Sequence, residues 1–176
     1  MTLNLSLRPV RSGDTSALLG LLSLPPVYEF LCDGAPPPRE AAEAWVVEAL
    51  AAEPPLGLWL LEDEAASLLG CVRLSEPEDA AASAELTYVL HPSQWGKGVA
   101  TAMSRTVLTR AFGEASCSSV LAGTDVPNSR SVAVMQRLGM ERFRDVVYPA
   151  GAGVEYRISR PAFRTLSAEP TLPVRA

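Results

Sequence analysis

The stretch Gln94-Trp95-Gly96-Lys97-Gly98-Val99-Ala100-Thr101 joins two segments of opposite periodicity. Before it, residues 84–90 alternate in the manner of a β-strand, and after it residues 100–112 carry apolar side chains at helical spacing. A strand that turns through glycines into a helix presents main-chain N–H groups and the positive end of the helix dipole. Glycine also lets the main chain approach a ligand without a Cβ in the way. The stretch therefore predicts a binding site for a phosphate-bearing ligand.

Composition limits the class of protein. The chain has 176 residues, which favours one domain, and a formal net charge of −5 without a basic run, which argues against nucleic acid as a partner. It lacks an apolar run of about 18 residues and the features of a signal peptide, so no membrane association is expected. Cys32, Cys71 and Cys117 have no CxxC spacing and His91 is the only histidine, so neither disulfides nor a metal site are predicted. These observations fit a cytoplasmic protein.

The order of periodic segments predicts an α+β fold. A first strand near residues 4–8 is followed by two helices, three strands of which the last is 84–90, a helix, a strand, a helix and two strands. We expect a mixed central sheet of about six to seven strands, flanked by about four helices. Residues 1–163 are expected to form a single domain, and residues 164–176 a loose tail.

Four stretches in this order resemble the GNAT acetyltransferase superfamily, and within it the Rim-type N-acetyltransferases that modify ribosomal proteins. They are residues 25–31, the strand 84–90, the glycine-rich stretch 94–101 with its Trp-Gly-Lys-Gly sequence, and residues 128–140. The resemblance covers roughly residues 5–163. It implies the GNAT fold, in which the sheet splays between the strand 84–90 and the strand at 118–124, and a single acetyltransferase domain.

The resemblance also implies acetyl-coenzyme A as co-substrate, without a metal. The pantetheine arm is expected to add to the open edge of the central strand and to bond the main chain at Val89 and Leu90. Asn128 and Ser131 are at positions where relatives hold the pantetheine or a water. Residues implied at the diphosphate are Trp95, Gly96, Lys97, Gly98, Val99, Ala100 and Thr101. Lys97 either adds charge there or points to solvent, because main-chain donors already suffice.

Acetyl transfer to an amine requires removal of a proton, because an ammonium has no lone pair. Glu85, at the position that resembles the family's strand carboxylate, is the candidate base, or else it binds the substrate ammonium. Ser131 and Tyr148 are alternative acids for the leaving thiolate by family analogy. The acceptor is expected to contact Glu85 together with Tyr28, Phe30 and Glu155.

The function that these residues favour is N-acetyl transfer from acetyl-coenzyme A to a primary amine, by direct attack in a ternary complex. The amine belongs either to a protein N-terminus or to a small molecule, and the acidic net charge favours a cationic acceptor. The alternative is a non-catalytic acyl-coenzyme A-binding or regulatory module, which needs no base at Glu85. A dinucleotide oxidoreductase is disfavoured, because the chain has GxGxA where GxGxxG is required. Dimerisation through the last strands is compatible with the sequence.

Overall fold

The computed structural model describes residues 4–31, 34–78, 82–165 and 171–175. The strands within these ranges are β1 (Ser6–Pro9), β2 (Gly57–Glu62), β3 (Leu68–Ser75), β4 (Ala84–Leu90), β5 (Ser119–Asp125), β6 (Glu141–Tyr148) and β7 (Gly151–Ser159). The helices are α1 (Thr15–Leu22), α2 (Pro25–Tyr28), α3 (Arg39–Ala51), α4 (Val99–Ala111), α5 (Ser129–Arg137) and α6 (Arg160–Thr165). The four longer helices correspond to those expected, and α2 and α6 are short additions.

The strands form one mixed sheet in the order β1-β2-β3-β4-β5-β7-β6. All neighbours are antiparallel except β4 and β5, which run parallel. β6 lies at one edge of the sheet, because β7 is placed between β5 and β6 and pairs with both. The predicted α+β class and mixed sheet are confirmed.

The parallel strands β4 and β5 separate soon after they begin. Their register contains only the pairs Ala84 with Val120 and Glu85 with Leu121, at the start of β4. The predicted splay is therefore confirmed. Beyond Glu85 a gap opens in the middle of the sheet, and the polar main chain along it is available to a ligand.

Two clusters of buried side chains cover the faces of the sheet. One cluster joins Leu86 of β4 to Met103 of α4 and Met135 of α5, and the other joins Val89 to α1 and α3. Alternation along β4 produces this division, because successive side chains point to opposite faces. Burial of each such side chain contributes about 1.5–3 kcal/mol.

Asp14 lies at the N-cap position of α1, but its carboxylate does not cap the helix. It accepts two hydrogen bonds from the Arg8 guanidinium, at 2.7 and 2.9 Å, and a third from the Arg11 N–H at 2.7 Å. Arg8 also pairs with Glu62 at 2.7 Å. These bonds tie β1 to β2 and to the start of α1.

The end of the chain differs from the loose tail that was expected. Leu7 of β1 donates its N–H to Pro173 O at 2.9 Å and accepts from Arg175 N at 2.7 Å. Leu172 N donates to Thr106 Oγ1 of α4 at 2.8 Å. The outer edge of β1 needs hydrogen-bond partners, and residues 172–175 provide them. Residues 166–170 and 176 of the predicted tail lie outside the described residues.

Cys71 and Cys117 are buried free thiols. Burial raises the pKa of Cys71 to about 12, so its thiol stays protonated and unreactive at neutral pH. Cys32 lies outside the described residues. No helix among those described is both long and apolar enough to span a bilayer.

Candidate active site

The glycine-rich stretch ends in an exposed helix N-terminus. Gly96 and Gly98 have φ of +73° and +76°, which is the left-handed region that glycine adopts without strain. Gly98 is the N-cap residue of α4, and no described side chain caps the helix there. A Cβ built on either glycine meets no atom within 4 Å. Gly98, Val99, Ala100 and Thr101 also line a cavity, so the first turn borders open space, as a diphosphate site requires.

Thr101 adds a hydroxyl to this first turn. Thr101 is only 8% exposed, yet its Oγ1 has no hydrogen-bond partner within the part of the chain that the structure describes. A buried hydroxyl without a partner destabilises a protein by about 1–3 kcal/mol. An oxygen-rich ligand at the glycine-rich stretch would relieve this, so the residues present fit a diphosphate.

Lys97 lies on the exposed side of the stretch. Its Nζ is 3.5 Å from Gln94 Oε1, a distance at the limit of a hydrogen bond. Gln94 itself is buried at 4% exposure. Lys97 thus rests against its own loop, and its contribution to anion binding stays a prediction.

A cleft of about 380 Å³ follows the gap between β4 and β5. It brings together most of the predicted site residues, from the first turn of α4 to the start of α5 and the strand carboxylate. Those that line it are Phe30, Glu85, Val89, Leu90, Trp95, Gly96, Gly98, Val99, Ala100, Thr101, Asn128 and Ser131. The predicted residues outside its lining are Tyr28, Lys97, Tyr148 and Glu155.

In β4, the main-chain N–H and C=O groups of every second residue point into the gap. His91 N donates to Leu69 O at 2.9 Å, and hydrogen-bonded pairs recur at every second residue of an antiparallel ladder. Val89, opposite Cys71, therefore directs its N–H and C=O at β3, whereas Leu90 directs its own at the gap. Of the two residues predicted to bond the pantetheine, Leu90 has the required orientation.

Trp95 bridges the two sides of the gap. Its indole Nε1 donates to Leu90 O at 2.9 Å, and the Arg130 guanidinium of α5 lies 4.7 Å from the centroid of its ring. The Leu90 carbonyl thus already accepts one hydrogen bond, and the Leu90 N–H faces the same gap. A cation over an indole contributes about 0.5–1 kcal/mol at an exposed site.

Ser131, in the first turn of α5, pairs with the hydroxyl of Tyr88 of β4, a residue that the sequence did not single out. Asn128 caps the helix by accepting from Ser131 N at 3.2 Å. Ser131 Oγ lies 2.6 Å from the hydroxyl oxygen of Tyr88, and that hydroxyl also donates to Ser131 O at 3.0 Å. Burial, partly opposed by the Ser131 hydrogen bond, raises the pKa of Tyr88 to about 12, so the phenol is protonated at neutral pH. The available signal was alternation, which places Tyr88 on the same face as Leu86.

Glu85 lies where β4 and β5 still pair, on the opposite face of β4 from Tyr88. Arg73 of β3 is its electrostatic neighbour, and Arg73 in turn pairs with Glu48 and stacks 5.0 Å from the centroid of Trp45. Burial lowers the pKa of Arg73, and the two carboxylates oppose that change. Glu85 therefore lies in the cleft next to a fixed positive charge.

Tyr148 lies across two glycines of neighbouring strands. A Cβ on Gly123 would be 2.0 Å from its hydroxyl oxygen, and a Cβ on Gly153 would be 2.3 Å from its ring. The pKa of Tyr148 is raised to about 12, first by burial and then by the charges of Glu155, Glu85 and Asp125. Because Gly123 lines the cleft, the phenol lies beside the cleft wall.

A second cavity of about 550 Å³ separates the segment after α2 from the β6–β7 turn. Phe30 lines both cavities, whereas Tyr28 lines neither. The carboxylates in its wall are Glu29 and Asp125. Glu155, on β7 opposite Gly123, accepts from Arg144 Nε at 2.7 Å.

The sequence profile of the acetyltransferase (GNAT) domain matches residues 4–141. The match covers well over half of the chain, and the chain belongs to this family of acetyltransferases.

Solved structures share this fold over nearly their whole length. The aminoglycoside acetyltransferase AAC(6')-Ib, in complex with coenzyme A, is 21% identical, with a TM-score of 0.75 over 92% of this chain and 98% of that chain. The spermidine N-acetyltransferase from Vibrio cholerae, in complex with coenzyme A and spermine, is 18% identical, with a TM-score of 0.75 over 92% and 99%. A GNAT-family acetyltransferase from Bacillus anthracis is 18% identical, with a TM-score of 0.71 over 90% and 96%. At these identities the likeness concerns the fold.

Proposed function

We propose that this chain transfers an acetyl group from acetyl-coenzyme A to a cationic primary amine, by direct attack in a ternary complex. The observation that carries the proposal is the open first turn of α4, at Gly98 and Thr101, at one end of a gap whose other end carries Glu85. Membership in the acetyltransferase family and the coenzyme A bound to two structural neighbours support it.

Different residues along the gap bind the cofactor and assist the reaction. First-turn N–H groups of α4 and the Thr101 hydroxyl bind the diphosphate, and the Leu90 N–H bonds the pantetheine arm. The amine nitrogen bonds to the acetyl carbon, the C–S bond breaks, and the electron pair of that bond goes to sulfur. Glu85 accepts the proton that the nitrogen loses, directly or through a water. Ser131 or Tyr148 donates to the leaving sulfur.

The acceptor is proposed to be a small cationic amine. The negative charges of Glu155, Glu85 and Asp125 act on Tyr148, opposed by Arg144, and Glu29 and Asp125 line the adjoining cavity. Such a group of charges attracts a cation and fixes its orientation. The structural neighbours include enzymes for spermidine and for aminoglycosides, which are amines of this kind. A protein N-terminus is the second candidate, favoured by the Trp-Gly-Lys-Gly sequence of the Rim-type group.

Release of coenzyme A tests the proposal. Purified protein is given acetyl-coenzyme A and a panel of polyamines, aminoglycosides, amino acids and peptides with free N-termini, and thiol release is recorded with and without each amine. We expect release that depends on a polyamine or an aminoglycoside and falls in Glu85→Gln. Release with peptides alone would favour the N-terminal acceptor.

Calorimetry with coenzyme A separates the remaining outcomes. Binding without turnover across the panel would support the non-catalytic acyl-coenzyme A-binding module. Absence of binding would refute both functions.

A further inference from the structure

The hydroxyls of Tyr88 and Ser131 meet at the edge of the gap in the sheet. Tyr88 belongs to β4 and Ser131 to the first turn of α5, and both line the cleft. Their oxygens are 2.6 Å apart, a short distance even for two hydroxyls. This contact joins the two sides of the gap beside the path proposed for the pantetheine.

The pair has two hydrogen-bond arrangements. The Tyr88 phenol has one hydrogen and two acceptors within reach, Ser131 O at 3.0 Å and Ser131 Oγ at 2.6 Å. When Tyr88 donates to the carbonyl, the Ser131 hydroxyl donates back to Tyr88. When Tyr88 donates to Oγ, the Ser131 hydrogen is directed away from Tyr88. A new acceptor in the cleft therefore selects the second arrangement.

Tyr88 also prevents a competing bond. A serine hydroxyl within a helix commonly bonds a carbonyl of the preceding turn, which directs it along the helix. The contact with Tyr88 draws Ser131 Oγ towards β4 instead. The Tyr88 ring packs against the buried cluster on that face of the sheet, which fixes the position of the phenol oxygen.

We propose that Tyr88 is a positioning residue for acetyl transfer: it holds the Ser131 hydroxyl so that this hydroxyl donates a hydrogen bond to the sulfur of the leaving group. The inference rests on the proposed function. As the C–S bond breaks, its electron pair goes to sulfur, and the thiolate becomes a strong acceptor for the Ser131 O–H. Tyr88 neither gains nor loses a proton. Its donation to Oγ increases the polarity of the Ser131 O–H bond, as in other hydroxyl chains.

The sulfur atom supplies a readout that does not depend on turnover. Affinities of coenzyme A and of desulfo-coenzyme A are measured by calorimetry at a pH above the pKa of the coenzyme A thiol, where the thiolate is the ligand. A hydrogen bond to a charged group changes affinity roughly ten- to hundredfold. We expect the wild type to prefer coenzyme A by about this factor, and Tyr88→Phe and Ser131→Ala to lose most of the preference.

Kinetics gives the second readout. Tyr88→Phe should lower kcat at least tenfold with little change in KM for acetyl-coenzyme A, because the hydrogen bond to sulfur strengthens as charge develops. In a Ser131→Ala background the same substitution should have no further effect, since Tyr88 acts through Ser131. Tyr156→Phe, at a buried tyrosine of β7 outside the cleft lining, is the control and should leave both readouts unchanged.

The outcomes separate the two proposals. Equal effects of Tyr88→Phe in the wild-type and Ser131→Ala backgrounds would overturn the positioning role, as would retention of the sulfur preference in Tyr88→Phe. Should Tyr88→Phe fail to fold, Ser131→Ala alone decides: an unchanged sulfur preference in that variant also overturns the role. Failure of the wild type to bind coenzyme A at all would instead refute the proposed function.

Discussion

The phenol oxygen of Tyr148 occupies the space that a side chain at Gly123 would fill, since a Cβ there would lie 2.0 Å from it. Gly123→Ala should therefore displace Tyr148 and destabilise the fold by about 1–3 kcal/mol. Without the phenol oxygen, in a Tyr148→Phe background, the nearest remaining atom is 3.3 Å away, so most of that loss should disappear. Urea unfolding of the four proteins measures the coupling. If Gly123→Ala lowered the stability equally in both backgrounds, the space at Gly123 would not be needed for the Tyr148 hydroxyl.

Gly98→Ala tests the left-handed N-cap of α4. A residue other than glycine at φ +76° is disfavoured by about 1–2 kcal/mol, and the new methyl would project into the space assigned to the diphosphate. We expect lower stability and weaker binding of coenzyme A, measured by thermal unfolding and calorimetry. Gly20→Ala, within α1 where a Cβ also meets no atom within 4 Å, is the matched control and should raise stability by up to about 1 kcal/mol. Undiminished affinity in Gly98→Ala would place the diphosphate elsewhere.

Thr101→Val removes the buried hydroxyl that has no partner among the described residues. The free protein should become more stable, by about 1 kcal/mol, because a desolvated polar group is lost. Coenzyme A should bind less tightly, because a donor to the diphosphate is lost. Thr106→Val gives the opposite comparison: the Thr106 hydroxyl donates to Ala102 O at 2.9 Å and accepts from Leu172 N at 2.8 Å, so its loss should destabilise the protein. Thermal shifts with and without coenzyme A distinguish the two, and a destabilised free Thr101→Val would contradict the assignment.

Glu85→Gln should lower kcat about 10²–10⁴-fold if the carboxylate is the base, while coenzyme A affinity stays near that of the wild type. The change keeps the size of the side chain next to Arg73 but removes its charge. A loss confined to KM for the amine would instead identify Glu85 as the group that binds the ammonium. Glu155→Gln is the comparison for acceptor binding: that carboxylate pairs with Arg144 and lies outside the cleft lining, so kcat should stay near that of the wild type even if KM for the amine rises. Steady-state kinetics with the accepted amine measures both.

Asp14 makes stability depend on pH at the acid end. Hydrogen bonds from Arg8, opposed by partial burial, hold the pKa of Asp14 below its ordinary 3.8. A carboxyl whose pKa is lower in the folded state stabilises the fold above the unfolded pKa, about 3.9, and this stabilisation is lost as pH falls through the folded value. Asp14→Asn should be about 1–2 kcal/mol less stable than the wild type near neutral pH.

The difference between Asp14→Asn and the wild type should shrink as the pH falls from about 5 to about 3. Urea unfolding at several pH values measures it. Asp145→Asn, in a pair with Arg142 that is largely exposed, is the control and should show little difference at any pH. A constant difference for Asp14→Asn across this range would contradict the role given to Arg8.

Local patterns predicted the centre of the molecule well. The strand at Ala84–Leu90, the helix that follows the glycine-rich stretch and the helix capped by Asn128 are where periodicity and glycine placement indicated. In these segments the intrinsic propensity of the residues and the spacing of the apolar side chains indicate the same secondary structure, so a short stretch of sequence is enough to predict the element. The splay followed from the resemblance to a family, since nothing in a single strand predicts where its partner departs.

Contacts between distant segments were not predictable in the same way. The pairing of residues 172–175 with β1 depends on an edge that exists only in the folded sheet. The bond between Tyr88 and Ser131 joins residues 43 positions apart, and the carboxylate of Asp14, at the N-cap position of α1, bonds to Arg8 of β1 instead of to the helix. Side-chain geometry across the gap therefore had to come from the structure.

The two ends of the sheet are protected from further strand addition by different means. At β1 the hydrogen-bonding edge is already paired with residues 172–175 of the same chain. At β6 the strand is exposed along most of its length and carries Arg142, Arg144 and Asp145, charges that an incoming strand would have to desolvate. Replacing those charged side chains by neutral ones would leave an edge strand open to pairing with another molecule, and we expect self-association to begin there.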